Sequence, residues 1–140
     1  MTDHDPVERS VRLTSPPGDV NDIHDFLAGL WAASPGVNDV DRISLETALV
    51  ELAANVLRHA DVDGTGLSCE VTIAVHGDQI TVAMRDTGEP GDIALVGLEM
   101  PDLDAESGRG LALIDALVDH VEYGREGEHN VWRLVRRRRG

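Results

Sequence analysis

The chain has 140 residues, 41% hydrophobic and 27% charged, which is the balance of one soluble globular domain with a single core and no second domain. Its formal net charge of −14 is unevenly spread, since all 12 basic residues are arginine and only seven of them precede Arg133, against 26 acidic residues. Such a body repels a phosphate backbone, so direct nucleic-acid binding is not expected, and the absence of lysine excludes a Walker-type phosphate loop.

The opening MTDHDPVERS lacks a basic-then-apolar signal pattern, and no 18-residue apolar window occurs, so no membrane span is expected and the location is read as cytoplasmic. Residues 1–7 are read as a flexible tail. Alternation from Glu8 to Leu13 predicts a short strand, broken by Ser15-Pro16-Pro17-Gly18. Asp19 can cap a first helix whose inward residues are Ile23, Leu27, Leu30 and Trp31, stopped by Ser34-Pro35-Gly36. Asn38 can cap a second helix running to about His59, with Asp39 and Asp41 at its positive end and Leu45, Leu49, Leu52 and Val56 as its apolar stripe.

A turn-rich connector from Asp61 to Gly66 leads to two alternating runs, Cys69-Val71-Ile73-Val75 and Ile80-Val82-Met84, joined at Gly77-Asp78 as an antiparallel hairpin. Cys69, the single cysteine, rules out an internal disulfide and reads as a small core side chain. Residues 87–107 show no sustained period and are read as a mobile lid. A last helix is expected from Gly108 to about Asp119, then two short strands at Val121–Arg125 and Asn130–Val135. Arg136–Arg139 read as a solvated, frayed tail, with 136–140 flexible. The fold class is therefore α+β, a two-layer sandwich with helices on one face of a mixed, mostly antiparallel sheet.

Three segments carry chemistry. On the second helix Glu51, Asn55 and His59 recur every four residues and share one flank of the stripe. An amide oxygen beside a carboxylate offers a hard ligand for Mg²⁺ and an acceptor for the proton of an attacking hydroxyl. Next, Asp86-Thr87-Gly88-Glu89-Pro90 follows a strand, where the carboxylate can accept a hydrogen bond from an exocyclic amine and Gly88 allows close backbone approach to a flat base. Third, Gly108-Arg109-Gly110-Leu111 opens the last helix, leaving backbone N–H groups to face an anion and Arg109 to add a charge-assisted bond. Taken singly, each is also compatible with a polar helix face, an ordinary turn or a flexible helix entry.

Together the three resemble the N box and the two glycine boxes of the GHKL (Bergerat-fold, histidine-kinase-like) ATPases, and in particular the RsbW-like and SpoIIAB-like anti-sigma serine/threonine kinases. The N box of that family looks like E-x-x-x-N-x-x-x-H-A, matched by Glu51, Asn55, His59 and Ala60. The resemblance implies ATP and Mg²⁺ as cofactors, with Glu51 as general base, Asn55 as metal ligand, Asp86 and Gly88 at the adenine, and Gly108, Arg109, Gly110 and Leu111 at the phosphates and lid hinge. It implies an anti-anti-sigma (STAS-type) protein and a sigma factor as partners, and leaves a homodimer open. The family's Gly-Thr pair before the last strand is replaced by Gly127-Glu128-His129-Asn130. A non-catalytic, nucleotide-gated binding module of the same fold is the alternative.

Two further patterns carry no site. Asp61-Val62-Asp63-Gly64-Thr65-Gly66 resembles the start of a calcium loop, but its twelfth position is Thr72. Asp22, His24 and Asp25 lack the two-histidine spacing of a zinc helix and read as solvated.

Overall fold

The computed structural model describes residues 7–15, 20–60, 67–87, 106–127 and 129–139. In chain order the elements are β1 (Val7–Ser15), α1 (Val20–Ala33), α2 (Asp39–Ala60), β2 (Leu67–Val75), β3 (Gln79–Asp86), α3 (Glu106–Leu117), β4 (His120–Glu126) and β5 (His129–Arg137). The strands form one sheet in the order β1-β2-β3-β5-β4, and every described pairing is antiparallel. Period-two alternation decides which face is covered. Leu13, Cys69, Val71, Ile73, Ile80, Val82, Met84, Trp132 and Leu134 turn inward to meet Ile23, Leu27, Leu30, Leu45, Leu49, Leu52 and Ile114 from the helices in one core.

Local chemistry sets the element ends. Asn38 accepts a hydrogen bond from the Asp41 amide at 2.8 Å, the N-cap of α2. Where β4 gives way to β5, Glu126 pairs with His129, and Gly127 has φ of 62°, a conformation glycine adopts without steric cost. α1 is tied to α2 by Glu46, which accepts from the Trp31 indole at 3.2 Å and meets His24 Nδ1 at 2.9 Å, so His24 belongs to a helix joint rather than to solvent alone.

The arginine run departs most from expectation. Arg136 and Arg137 continue β5, and Arg136 is buried, donating to Asp41 Oδ1 at 2.9 Å and to the Leu117 carbonyl at 2.7 Å. Arg138 donates to the carbonyls of His76 and Gly36 at 2.7 and 2.9 Å. The Arg139 amide donates to Asp41 Oδ2 at 2.9 Å, and its guanidinium reaches Asp119 at 3.1 Å. Residues 136–139 are thus stitched into the body and are not a frayed tail. The physical reason is that Asp41 and Asp119, remote in sequence, supply acceptors where the strand alternation carries Arg136 inward.

Arg136 also fixes the direction of the helices. It touches the first turn of α2 and the last carbonyl of α3, so these helices run antiparallel with those two ends together. α3 begins at Glu106, two residues before Gly108, so Glu106 and Ser107 belong to the helix rather than to the expected lid. At the other limit of that lid, the Thr87 amide donates to the Ser68 carbonyl at 3.0 Å. Residues 88–105, with Gly88 among them, lie outside the described residues, as do residues 1–6 and 61–66.

Candidate functional site

Across the helix-facing side of the sheet, the strand registers place Leu13, Cys69, Asp86, Asn130 and Arg125 in one rung. The last rung at the opposite end is Val7, Val75, Ile80 and Arg136. The sandwich therefore has two distinct ends. One is locked by the Arg136–Asp41 pair; the other carries Asp86.

Asp86 is 1% exposed and Asn130 2% exposed, which for a carboxylate and an amide demands a full set of partners. Asp86 Oδ1 accepts from Asn130 Nδ2 at 2.8 Å, and Oδ2 accepts from the Trp132 indole at 3.0 Å. Asn130 Oδ1 in turn accepts from the Tyr123 hydroxyl at 2.6 Å and from Arg125 at 3.0 Å. Tyr123 and Trp132 pack with tilted rings, 43° between planes and 4.3 Å between centroids, one rung further in. Burial, and then the nearby charge of Asp86, push the Cys69 thiol up to about 12. Cys69 is therefore a neutral side chain bordering the site, not a nucleophile.

The helices bring the remaining motif residues to this same end. Measured from the Asp41 pin, Asn55 stands 14 residues along α2, about 21 Å at 1.5 Å per residue. Asn130 stands six residues from Arg136 along β5, roughly 20 Å. Gly108 lies nine residues from Leu117 on antiparallel α3, about 14 Å, abreast of Glu51 at about 15 Å along α2. Asn55 is buried and Glu51 half-buried, so this flank of α2 is not a solvated face. In α3 the amides of Gly108 and Arg109 fall among the first-turn N–H groups that no helix carbonyl satisfies, whereas Gly110 lies a turn in. The side chains of His59, Arg109 and Leu111 lie outside the described residues.

Chemically, this end offers a buried acceptor carboxylate on the sheet, a carboxylate and an amide on the facing helix, and the first turn of α3 abreast of them. By their chemistry such groups can take an amine-bearing ring at one side and an anion with its cation at the other. Among the described residues no group of three or more His, Cys, Asp or Glu could hold a metal ion. Sequence reasoning missed Asn130, Trp132, Tyr123 and Arg125. The signal was available in the alternation of the last two strands, which carries Asn130 and Trp132 to the covered face beside Asp86.

A separate open pocket of about 480 Å³ lies between β1 and α1, lined by Arg9, Ser10, Asp25, Phe26 and Gly29. It is remote from Asp86, three strands away in register from the β5 network, and is not a candidate for the same chemistry.

The sequence profile of the histidine kinase-like ATPase domain matches residues 13–136. No curated protein matches the chain. Among solved structures, the RsbU and RsbW domains of Rv1364c from Mycobacterium tuberculosis match with a TM-score of 0.66 at 16% identity, over 94% of this chain and 32% of that one. The chain thus spans about a third of that protein's length. The catalytic domain of histidine kinase ThkA matches with a TM-score of 0.56 at 12% identity, over 93% of this chain and 98% of that one. The histidine kinase domain of a blue-light activated histidine kinase from Erythrobacter litoralis EL346 matches with a TM-score of 0.55 at 17% identity, over 69% and 44%.

Proposed function

The chain belongs to the histidine kinase-like (GHKL) ATPase family, and from that premise we propose that it is an ATP-dependent protein serine/threonine kinase of the RsbW-like, anti-sigma kind. It binds Mg-ATP, phosphorylates a serine or threonine of a small anti-anti-sigma (STAS-type) protein, and sequesters a sigma factor. The observation that carries the reading is the shared end of the sandwich: the buried Asp86 acceptor, the Glu51/Asn55 flank of α2 and the first turn of α3.

Bound Mg-ATP would supply the transferable γ-phosphoryl group and the cation that neutralises it. The chain's own residues do the rest. Asp86 accepts the exocyclic amine of the base and so registers the nucleotide. Asn55 offers its amide oxygen to the cation, and the first-turn amides of α3 with Arg109 bind the phosphate oxygens. Glu51 takes the proton of the acceptor hydroxyl as that oxygen bonds to the γ-phosphorus and ADP departs.

A nucleotide-gated binding module without transfer is the second reading. One observation favours it: both Asp86 oxygens already accept hydrogen bonds within the fold, from Asn130 and Trp132. A base binding there has fewer acceptor sites to satisfy it. Incubation with γ-labelled ATP and single-domain STAS proteins separates the two. Label on a serine or threonine of one of them supports the kinase, whereas saturable ATP binding with no transfer to any of them supports the module.

A further inference from the structure

We propose that the edge strand β1, with the pocket between it and α1, is a docking site for an extended segment of a partner protein. The segment adds to the five-stranded sheet as a sixth strand and turns a carboxylate and a large apolar side chain toward α1. This site is separate from the Asp86 end and does not depend on the nucleotide reading.

Among the described strands β1 pairs with β2 alone and lies at one margin of the sheet. Its pairing runs from Val7 to Ser15 without a bulge or a proline, so about half of its N–H and C=O groups face outward with no strand to meet them. Natural edges are blunted by shortness, proline, a bulge or an inward charge, and β1 has only the last. Val7, Arg9, Val11 and Leu13 alternate onto the helix-facing side, which sets one cation among three apolar neighbours. Such a charge turns away an apolar strand but accepts one that brings a carboxylate to it, so the edge is selective rather than closed. The opposite margin, β4, is shorter at seven residues and holds Gly124, which weakens a strand.

A strand added about 4.8 Å beyond β1 sends alternate side chains to that same face, where the open pocket of about 480 Å³ lies between Arg9 and Ser10 of β1 and Asp25, Phe26 and Gly29 of α1. Phe26 is half-buried, packed on the core. Gly29 is its neighbour one helical turn on, and a side chain built there would meet nothing within 4 Å. The helix thus leaves open space beside an aromatic ring, which suits an incoming apolar side chain. Among the described residues the side chains of Arg9 and Asp25 have no hydrogen-bond or ion-pair partner, so a carboxylate arriving at Arg9 displaces nothing. A small molecule in the pocket would leave the outward ladder groups of β1 unmet, whereas an extended segment satisfies them. A second copy of β1 paired antiparallel to this one brings valine, leucine and arginine to the helix-facing side and no carboxylate.

Selection of a random library of short peptides on the full chain, followed by NMR titration with the enriched peptides, tests the proposal. Enriched peptides should carry Asp or Glu two residues from Leu, Ile, Phe or Trp, and should shift the amides of Val7–Leu13 and Phe26–Gly29 saturably. Gly29→Leu fills the open space and keeps the fold, because leucine is the better helix former and meets no atom there. It should weaken these peptides about tenfold or more. Arg9→Glu should weaken them about fivefold and favour analogues with Lys in place of the carboxylate. No enriched peptide, shifts away from β1 and α1, or unchanged peptide affinity in both variants would overturn the proposal. So would sedimentation as a dimer whose β1 amides are protected from exchange without peptide, which would give the edge to a second copy. Each of these failures leaves the nucleotide reading standing, since the titrations contain no Mg-ATP.

Discussion

At the scale of single residues, the proposed function divides between side chains that register a ligand and one that moves a proton. In the proposed function Asp86 is the registering residue, and Asp86→Asn sets its new NH₂ against the donors of Asn130 or Trp132. Calorimetry should find Mg-ATP affinity lowered at least ~10-fold in Asp86→Asn and in Asn55→Ala, by loss of the acceptor in one and of a metal ligand in the other. Equal affinity in both would remove the site. Glu51 behaves differently, because a negative charge near phosphates is not needed for binding. Glu51→Gln should bind Mg-ATP as well as or slightly better than the unmodified chain, while transfer to a STAS partner falls ~10²–10⁴-fold. Cys69 gives a chemical readout of the same neighbourhood. With its thiol held up at about 12 by burial, native protein should resist iodoacetamide at pH 8 and react only once unfolded. Stability should also fall as pH rises above about 8.5, since the unfolded thiol ionises there and the folded one does not until about 12.

At the scale of elements, the decisive feature is the latch joining β5, α2 and α3. Arg136 and Asp41 are 6% and 1% exposed at the side chain, so removing either leaves the other charged and buried. Asp41→Ala should cost about 3–5 kcal/mol in urea unfolding, with the Leu/Met double replacement of Asp41 and Arg136 recovering much of that. A loss under about 1 kcal/mol would show that the latch is slack. Asp119 holds the neighbouring corner, its carboxyl lowered mainly by the Arg137 backbone N–H and further by Arg139. A lowered folded-state value means stability present above the unfolded value of about 3.9 and lost as pH falls through the folded one. Asp119→Asn should therefore flatten the acid limb of the stability profile below the unfolded value of about 3.9. These elements were legible to very different degrees. The helices and hairpin could be read because Leu45, Leu49 and Leu52, or Val71 and Ile73, repeat with the period of the structure they build. The latch could not, because a run of four arginines looks solvated until Asp41 and Asp119, 95 and 18 residues from their partners, are seen beside it. The N-box spacing of Glu51 and Asn55 was readable for the same periodic reason, whereas the Asn130–Asp86 contact depends on strand order and had only the alternation to announce it.

At the scale of the whole molecule, the sandwich has an end fixed by the latch and an opposite end that carries the candidate site. Antiparallel α2 and α3 are pinned at Arg136, and the Glu51/Asn55 flank, the first turn of α3 and the Asp86 rung are carried to the opposite end. A ligand that binds there stabilises the fold by mass action, so Mg-ATP at 100 times its Kd should raise unfolding free energy by about 2.7 kcal/mol. A heavily acidic body, net −14, should also make capture of a phosphorylatable partner sensitive to salt wherever that partner presents basic residues. The central claim is that the three motif segments form one nucleotide site at the end away from the latch. An amide and indole NMR titration with Mg-ATP tests it directly. The account predicts saturable shifts together at the Trp132 indole, the Asn130 side-chain amide, Asn55 and Gly108–Gly110, with the Arg136–Asp41 end unmoved. Saturable shifts confined to the latch or to the β1–α1 pocket, or none at all, would contradict it.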